Sequence, residues 1–227
     1  MDTKTFKVQL EIRFTSILDF RLHFKTIVSP YLKLFEFQIQ NGDTYQERIS
    51  LFSRDEGYFI DLRMDRMLLV SENRLHNFFE PSGPMYHFLK IFDKVKALES
   101  FNEMSLMLFA QWGVILKEGN DEKIQSNFIE KYFKEVPKPI DATLKDIGIQ
   151  IDYVIKDEEV KLKAGPFVPE KDIKNFQLNS IASDKPQDYS GTTGLFYEII
   201  STKKANDTDL ASFKKMDKTC TDLLRKI

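Results

Sequence analysis

The chain has 227 residues, with 33 basic and 35 acidic side chains, a formal net charge of −2, and 42% hydrophobic against 30% charged residues. That mixture excludes a disordered chain, which would lack aromatics and carry a large charge imbalance, and it lacks the basic excess that marks most nucleic-acid binders. The length suits one or two packed units that bury their apolar surface without covalent staples.

In chain order, Phe6, Val8, Leu10, Ile12 and Phe14 alternate with Lys7, Gln9, Glu11 and Arg13, which predicts a strand with one buried and one solvated face. Asp19 is placed to cap a helix whose apolar residues Phe20, Phe24, Ile27, Val28, Tyr31, Leu32 and Phe35 follow at helical spacing, with Pro30 bending or breaking it. Strand-like runs then come at 35–39, 48–54, 58–64 and 66–72, separated by Asn41-Gly42-Asp43 and Asp55-Glu56-Gly57 turns, and predict an antiparallel meander. After Pro81-Ser82-Gly83-Pro84, with Ser82 as the expected cap, the stripe Met85, Phe88, Leu89, Phe92, Val95 and Leu98 predicts a second helix.

The order then begins again. A strand is expected over 106–116, and a helix capped by Asn120 and stopped by Pro137 and Pro139. Alternating strands follow at 147–155 and 160–164, then a polar loop over 165–192 with a short helix near 169–176. A last strand spans 195–202, and a closing helix starts near Asp207. The expected fold class is therefore α+β: two β-α-β(3-4)-α halves, 1–100 and 101–227, forming an antiparallel sheet with helices packed on one face. The halves share an order of elements and no residue-level repeat.

Few residues point to chemistry. His23, His76 and His87 include no pair at the four-residue spacing that puts two ligands on one helix face, so no metal site is expected. Cys220, the sole cysteine, lies on the apolar side of the last helix and reads as packing; it permits no intrachain disulfide and fits a reducing compartment. There is no nucleophile elbow, Walker loop or dinucleotide fingerprint; the loop Ser190-Gly191-Thr192-Thr193-Gly194 precedes a strand rather than the helix that a phosphate cradle needs. No catalytic residue and no cofactor is assigned. Two binding surfaces are. Met107, Phe109 and Trp112 on a strand, with Phe88 and Phe92 on a helix, are candidates to line an apolar ligand cavity, against a plain core. Arg13, Arg48, Arg54 and Arg63, with Arg66 and Arg74 beside them, sit on the polar phase of their segments near Tyr45, Tyr58 and Tyr86. They are candidates for a charged face that binds single-stranded nucleic acid, against cross-strand ion pairing with Glu11, Glu47, Asp61 and Asp65.

The opening Phe6 to Phe14, the Tyr86 to Leu98 helix, the Leu106 to Leu116 strand, and Leu195 to Ser201 followed by Asp209-Leu210 resemble, by spacing, a sporadically distributed family of uncharacterised bacterial proteins. The tryptophan–arginine pair of that family is missing here, Asp65-Arg66 being the nearest stretch, and its acidic pair in the last strand is reduced to Glu198. The resemblance implies a bacterial antiviral-defence or mobile-element setting and carries over no site residue. In order of elements the two halves are also similar to tandem TATA-binding-protein-like and helix-grip folds, an analogy that leaves function open.

The leading expectation is a non-enzymatic interaction protein whose partner is another protein, with a homodimer allowed. The alternatives are a carrier of an apolar small ligand and a single-stranded nucleic-acid binder. The N-terminal segment lacks the apolar core of a secretory signal, and no run approaches the roughly 20 apolar residues of a membrane helix, so a cytoplasmic protein with no membrane partner is expected.

Overall fold

The computed structural model of the protein describes residues 2–72, 75–133, 144, 146–181, 187–205 and 209–227. Strand β1 (Thr3–Phe14) leads to helix α1 (Phe20–Val28), then to β2 (Glu36–Gln40), β3 (Arg48–Ser53), β4 (Tyr58–Arg63) and β5 (Arg66–Ser71), and α2 (Pro84–Lys96) ends the first half. The second half runs through β6 (Met104–Leu116), α3 (Asp121–Tyr132), β7 (Ile149–Ile155), β8 (Glu158–Pro166), the short α4 (Pro169–Asn175), β9 (Gly194–Lys203) and α5 (Leu210–Leu224). All of these strands join one antiparallel sheet in the order β2-β3-β4-β5-β1-β6-β9-β8-β7. Outward from the central β1–β6 pair, each half adds its strands in reverse chain order: β5, β4, β3 and β2 on one side, β9, β8 and β7 on the other. The α+β class and the antiparallel sheet agree with the sequence.

Local chemistry explains most boundaries. α1 buries Phe20, Phe24, Ile27 and Val28 and stops there, because Pro30 lacks an N–H and the chain tightens into a 3-10 turn over Ser29–Tyr31. Asp19 holds the N-cap position, but its carboxylate takes the His23 Nε2 at 2.6 Å and makes no cap hydrogen bond. Ser82 is not the cap of α2. That place belongs to Gly83, followed by Pro84, because a Cβ at residue 83 would stand 2.1 Å from the Asn77 carbonyl oxygen. Asn120 caps α3, its side chain accepting the Lys123 N–H at 3.0 Å; Pro137 and Pro139 lie outside the described residues. So does Asp207; the cap of α5 is Asp209, which accepts the Ser212 N–H at 2.7 Å.

The main core lies between the sheet and α1, α2, α3 and α5, and it crosses both halves: Leu10, Ile12, Leu62, Phe88, Phe92, Phe109, Ile199 and Phe213 are all fully buried in it. Each such side chain contributes about 1.5–3 kcal/mol before the entropy of ordering is counted. A second, smaller core occupies the reverse face around Phe6, Ala110, Trp112, Phe167, Leu178, Tyr189 and Phe196. α4 is on this side, with Ile173 and Phe176 in the cluster and the Phe176 ring stacked 4.4 Å from Phe196. Phe6 corrects the period-two reading. The register of β1 on β6 shifts between Thr5 and Lys7, so Phe6 is the extra residue of a β-bulge and points away from Val8, Leu10 and Ile12.

The described part of the 165–192 loop is a strap across that reverse face, and a buried carboxylate holds it. Glu72 accepts the Ser180 N–H at 2.9 Å, the Ser180 hydroxyl at 2.8 Å and the Ile181 N–H at 3.0 Å, and it faces Lys7 Nζ at 3.9 Å. Lys7 in turn donates to the Gln177 carbonyl at 3.1 Å. Burial lowers the Lys7 pKa, and the Glu72 charge opposes that shift. Removing one member of a buried pair costs about 3–5 kcal/mol. Glu72→Ala is therefore expected to lower the unfolding free energy in urea by about that amount and to make the strap sensitive to limited proteolysis. An unchanged midpoint and cleavage pattern refutes the clamp.

Candidate functional site

Among the described residues, the reverse face of the first half carries no helix. Ile12, Met67, Leu62 and Ile49 are cross-strand neighbours buried on the helix side. Because side chains alternate along a strand, the adjacent residues Arg13, Arg66, Arg63 and Arg48 form a matching row on the other side, in register across β1, β5, β4 and β3. Carboxylates lie among them. Asp61, buried, takes Arg63 at 3.1 Å, Arg48 at 3.7 Å and the Ser50 hydroxyl. Glu11 takes Arg13 at 2.6 Å and Arg66 at 3.5 Å. Asp65 pairs with Arg66 through both oxygens, at 3.0 and 2.8 Å, and that guanidinium holds its carboxyl below the usual range. Four guanidinium groups (Arg13, Arg48, Arg63, Arg66) against three carboxylates (Glu11, Asp61, Asp65) leave one positive charge. A depression of about 420 Å³ borders the row at Arg48, Arg63 and Arg66 and includes Tyr45 and Gln46.

The structure thus brings Arg13, Arg48 and Arg63 together, joined by Arg66. It keeps Arg54 apart, paired with Glu36 at 2.5 Å and 5.6 Å over the Phe52 ring. Arg74 lies outside the described residues. Tyr58 is buried on the helix side against Phe35, away from the row.

Of the five apolar candidates, Phe88, Phe92, Met107 and Phe109 share the main core and are fully buried. Trp112 does not join them. It differs in parity from Met107 and Phe109 on β6, so it faces the reverse side, where its indole N–H donates to Glu198 at 3.0 Å and Lys7 Nζ stands 5.4 Å over the ring. Lys163 closes that group on Glu198 at 2.6 Å.

Two features escaped the sequence reading. The first is the edge of the sheet at β2. Seven of the eleven large apolar side chains that are exposed among the described residues fall within 18–45: Leu18 (90%), Leu22 (75%), Leu32, Leu34 (63%), Phe37 (54%), Ile39 and Tyr45 (78%). Leu18, Leu22 and Leu34 fall outside the helical stripe read from the sequence, and the structure leaves them exposed. The second is a cavity of about 320 Å³ at the junction of the halves, lined from β1, β6, β9, α5 and the segment between β5 and α2. There Asp217 accepts from the Gln111 amide at 2.5 Å, and the Tyr197 and Thr5 hydroxyls meet at 3.1 Å. Burial raises the Tyr197 phenol to about 12, and also raises the Asp217 carboxyl above its usual range. Gly113 makes this arrangement possible: a Cβ there would lie 2.6 Å from the Tyr197 hydroxyl and 2.5 Å from the Lys4 carbonyl oxygen. Among the described residues no group of three or more His, Cys, Asp or Glu is arranged to hold a metal ion, and no helix is long and apolar enough to cross a membrane.

No protein-family model matches the chain, and no curated protein matches it.

Cys220 is fully buried, and that burial, with Asp217 and Glu158 nearby, pushes its thiol far above the usual range. It is expected to resist a thiol-reactive dye in the native protein at neutral pH and to react once urea unfolds the chain. Rapid labelling of the native state contradicts this placement.

Proposed function

We propose that this chain is an interaction protein that pairs through the edge strand β2, and that the partner fitting this edge is a second copy of the chain. The observation that carries the reading is the concentration of exposed apolar side chains within 18–45, Phe37 and Ile39 of β2 among them; exposed apolar surface marks interaction sites when it is clustered. β2 pairs with β3 on one side only and is the end strand of the sheet. Glu36–Gln40 contains no lysine, proline or bulge, the usual devices that blunt an edge. Its pattern is also self-complementary. Antiparallel pairing about Gln38 sets Phe37 of one copy against Ile39 of the other, on the face where both are exposed, and Glu36 against the neutral Gln40.

Sedimentation velocity across the micromolar range is expected to show a dimer. Phe37→Lys, a change at an exposed position, is expected to weaken it by at least about tenfold, about 1.4 kcal/mol, with no loss of stability in urea. A wild-type monomer throughout the range, or a Phe37→Lys variant that dimerises as tightly, overturns the reading.

A second reading, single-stranded nucleic-acid binding, is favoured by one observation: the in-register row Arg48, Arg63, Arg66, Arg13 on a sheet face that also bears the half-exposed Phe52–Phe59 pair, rings 5.7 Å apart. Arginine and aromatic side chains on an open sheet supply phosphate contacts and base stacking. Anisotropy of a labelled oligothymidine is expected to report binding at low salt, with log K falling against log salt at a slope of about −3 for four phosphate contacts, roughly −0.7 each. Arg63→Ala is expected to flatten that slope. No binding at low salt, or binding insensitive to salt, rejects the reading.

A further inference from the structure

The cavity between the halves has a mixed lining: Val8, Leu75, Phe78, Phe79, Phe109 and Leu224 are apolar, and Thr5, Gln111, Tyr197, Asp217 and Thr221 supply polar groups. Its volume, about 320 Å³, is at the small end of sites that hold organic ligands, about 300–1,000 Å³.

The charge in it is unbalanced. Among the described residues most buried carboxylates face a cation: Glu72 has Lys7, Asp61 has Arg48 and Arg63, Glu11 has Arg13 and Arg66, and Glu198 has Lys163, whereas Asp172 is held by the Val168 N–H at 2.8 Å. Asp217 has a neutral partner, the Gln111 amide, and among the described residues no basic group stands within ion-pair distance of it. Arg225 also lines the cavity, but it lies eight residues further along α5, about 12 Å of helix rise, is exposed, and pairs with Asp222 at 3.2 Å. The neighbouring Tyr197 phenol and Cys220 thiol are neutral near pH 7. Asp217 is half-buried, and a partly desolvated carboxylate without a counter-charge is favoured in its ionised form when a cation is brought beside it.

We propose that this cavity is a binding site for a small organic ammonium ion carrying an aromatic or branched aliphatic body. The ammonium group sits against Asp217, with the Thr221 hydroxyl as a further acceptor. The body lies against Phe78, Phe79 and Phe109, and ring–ring contact there adds to area burial. Binding the cation restores to the Asp217 carboxyl the ionisation that burial alone opposes.

The probe is phenethylammonium chloride, followed by titration calorimetry and by amide chemical shifts at Gln111 and Thr221. Binding is expected in the wild-type protein. The neutral isostere 2-phenylethanol is expected to bind at least tenfold more weakly, and phenylacetate not at all. Asp217→Asn, which keeps a partner for Gln111, is expected to lose the ammonium ion at least tenfold and to unfold in urea at or above the wild-type midpoint. Thr221→Leu, which enlarges a lining side chain at a half-buried position, is expected to abolish binding by bulk, and it decides the matter should Asp217→Asn fail to fold. The proposal is overturned if the ammonium ion does not bind, if the alcohol or phenylacetate binds as well, or if either folded variant keeps wild-type affinity.

Discussion

The ladder between β1 and β6 is the constraint on which the rest of the protein depends. It runs antiparallel from Thr3 opposite Ile115 to Phe14 opposite Met104 and joins two halves that share no other long strand pairing. Its register decides which side chains meet the helices and which meet the strap. A slip of one residue would turn Leu10 and Ile12 to the reverse face and bring Glu11 and Arg13 into the main core, so burial specifies the register strongly. The ladder shifts register twice, between Thr5 and Lys7 and between Arg13 and Phe14, and the first shift has the larger consequence. It sends a phenyl ring into the reverse core, where Tyr189 meets it edge-on at 4.7 Å, while Thr5 stays on the helix side with Tyr197. One extra residue in one strand therefore seeds the second core and shapes the cavity on the opposite face.

Charge is handled by burying it in pairs. Glu72 with Lys7, Asp61 with Arg48 and Arg63, and Glu198 with Lys163 and the Trp112 indole each combine an ion pair with neutral hydrogen bonds. Such sites are weak sources of net stability and strong sources of specificity, because a misplaced partner leaves a bare charge. Glu72 shows the consequence most clearly. It ends the first half's meander and captures backbone N–H groups of a segment more than a hundred positions away in the second half. Asp172, buried on the Val168 N–H, and the half-buried Asp217, on the Gln111 amide, have neutral partners instead, and at the β2 edge apolar side chains face outward.

Much of the fold was legible in the sequence because it is local. Alternation over 6–14 (Phe6 excepted) and 147–155, helical stripes over 85–98 and from 124 onward, and the capping residues between them place the elements to within a few residues. The errors are instructive. Ser82 has cap chemistry, but the close approach of the Asn77 carbonyl demands glycine at the next position. Asp19 stands where a cap belongs, yet His23 is within its reach and takes the carboxylate. The candidate sites were legible only in part. The arginines of β1, β3 and β4 could be recognised as strand residues on the polar phase, but that Arg66 completes their row, and that Arg54 drops out to Glu36, depends on hairpin registers.

By itself the sequence determined the class of this protein: an α+β chain with an antiparallel sheet and helices on one face. Periodicity and capping act over a few residues and are written in residue type. Tertiary structure alone decided the order of strands in that sheet and the continuity of its core, that Phe6 and Trp112 belong to its far side, that a loop of ordinary polar composition is a strap clamped by Glu72, and that Asp217 lines a cavity with a neutral partner. Each of these depends on which distant segment lies opposite. A long-range partner leaves no periodic signal in the residues that meet it, because what selects it is register, burial and the pairing of charge across the folded chain.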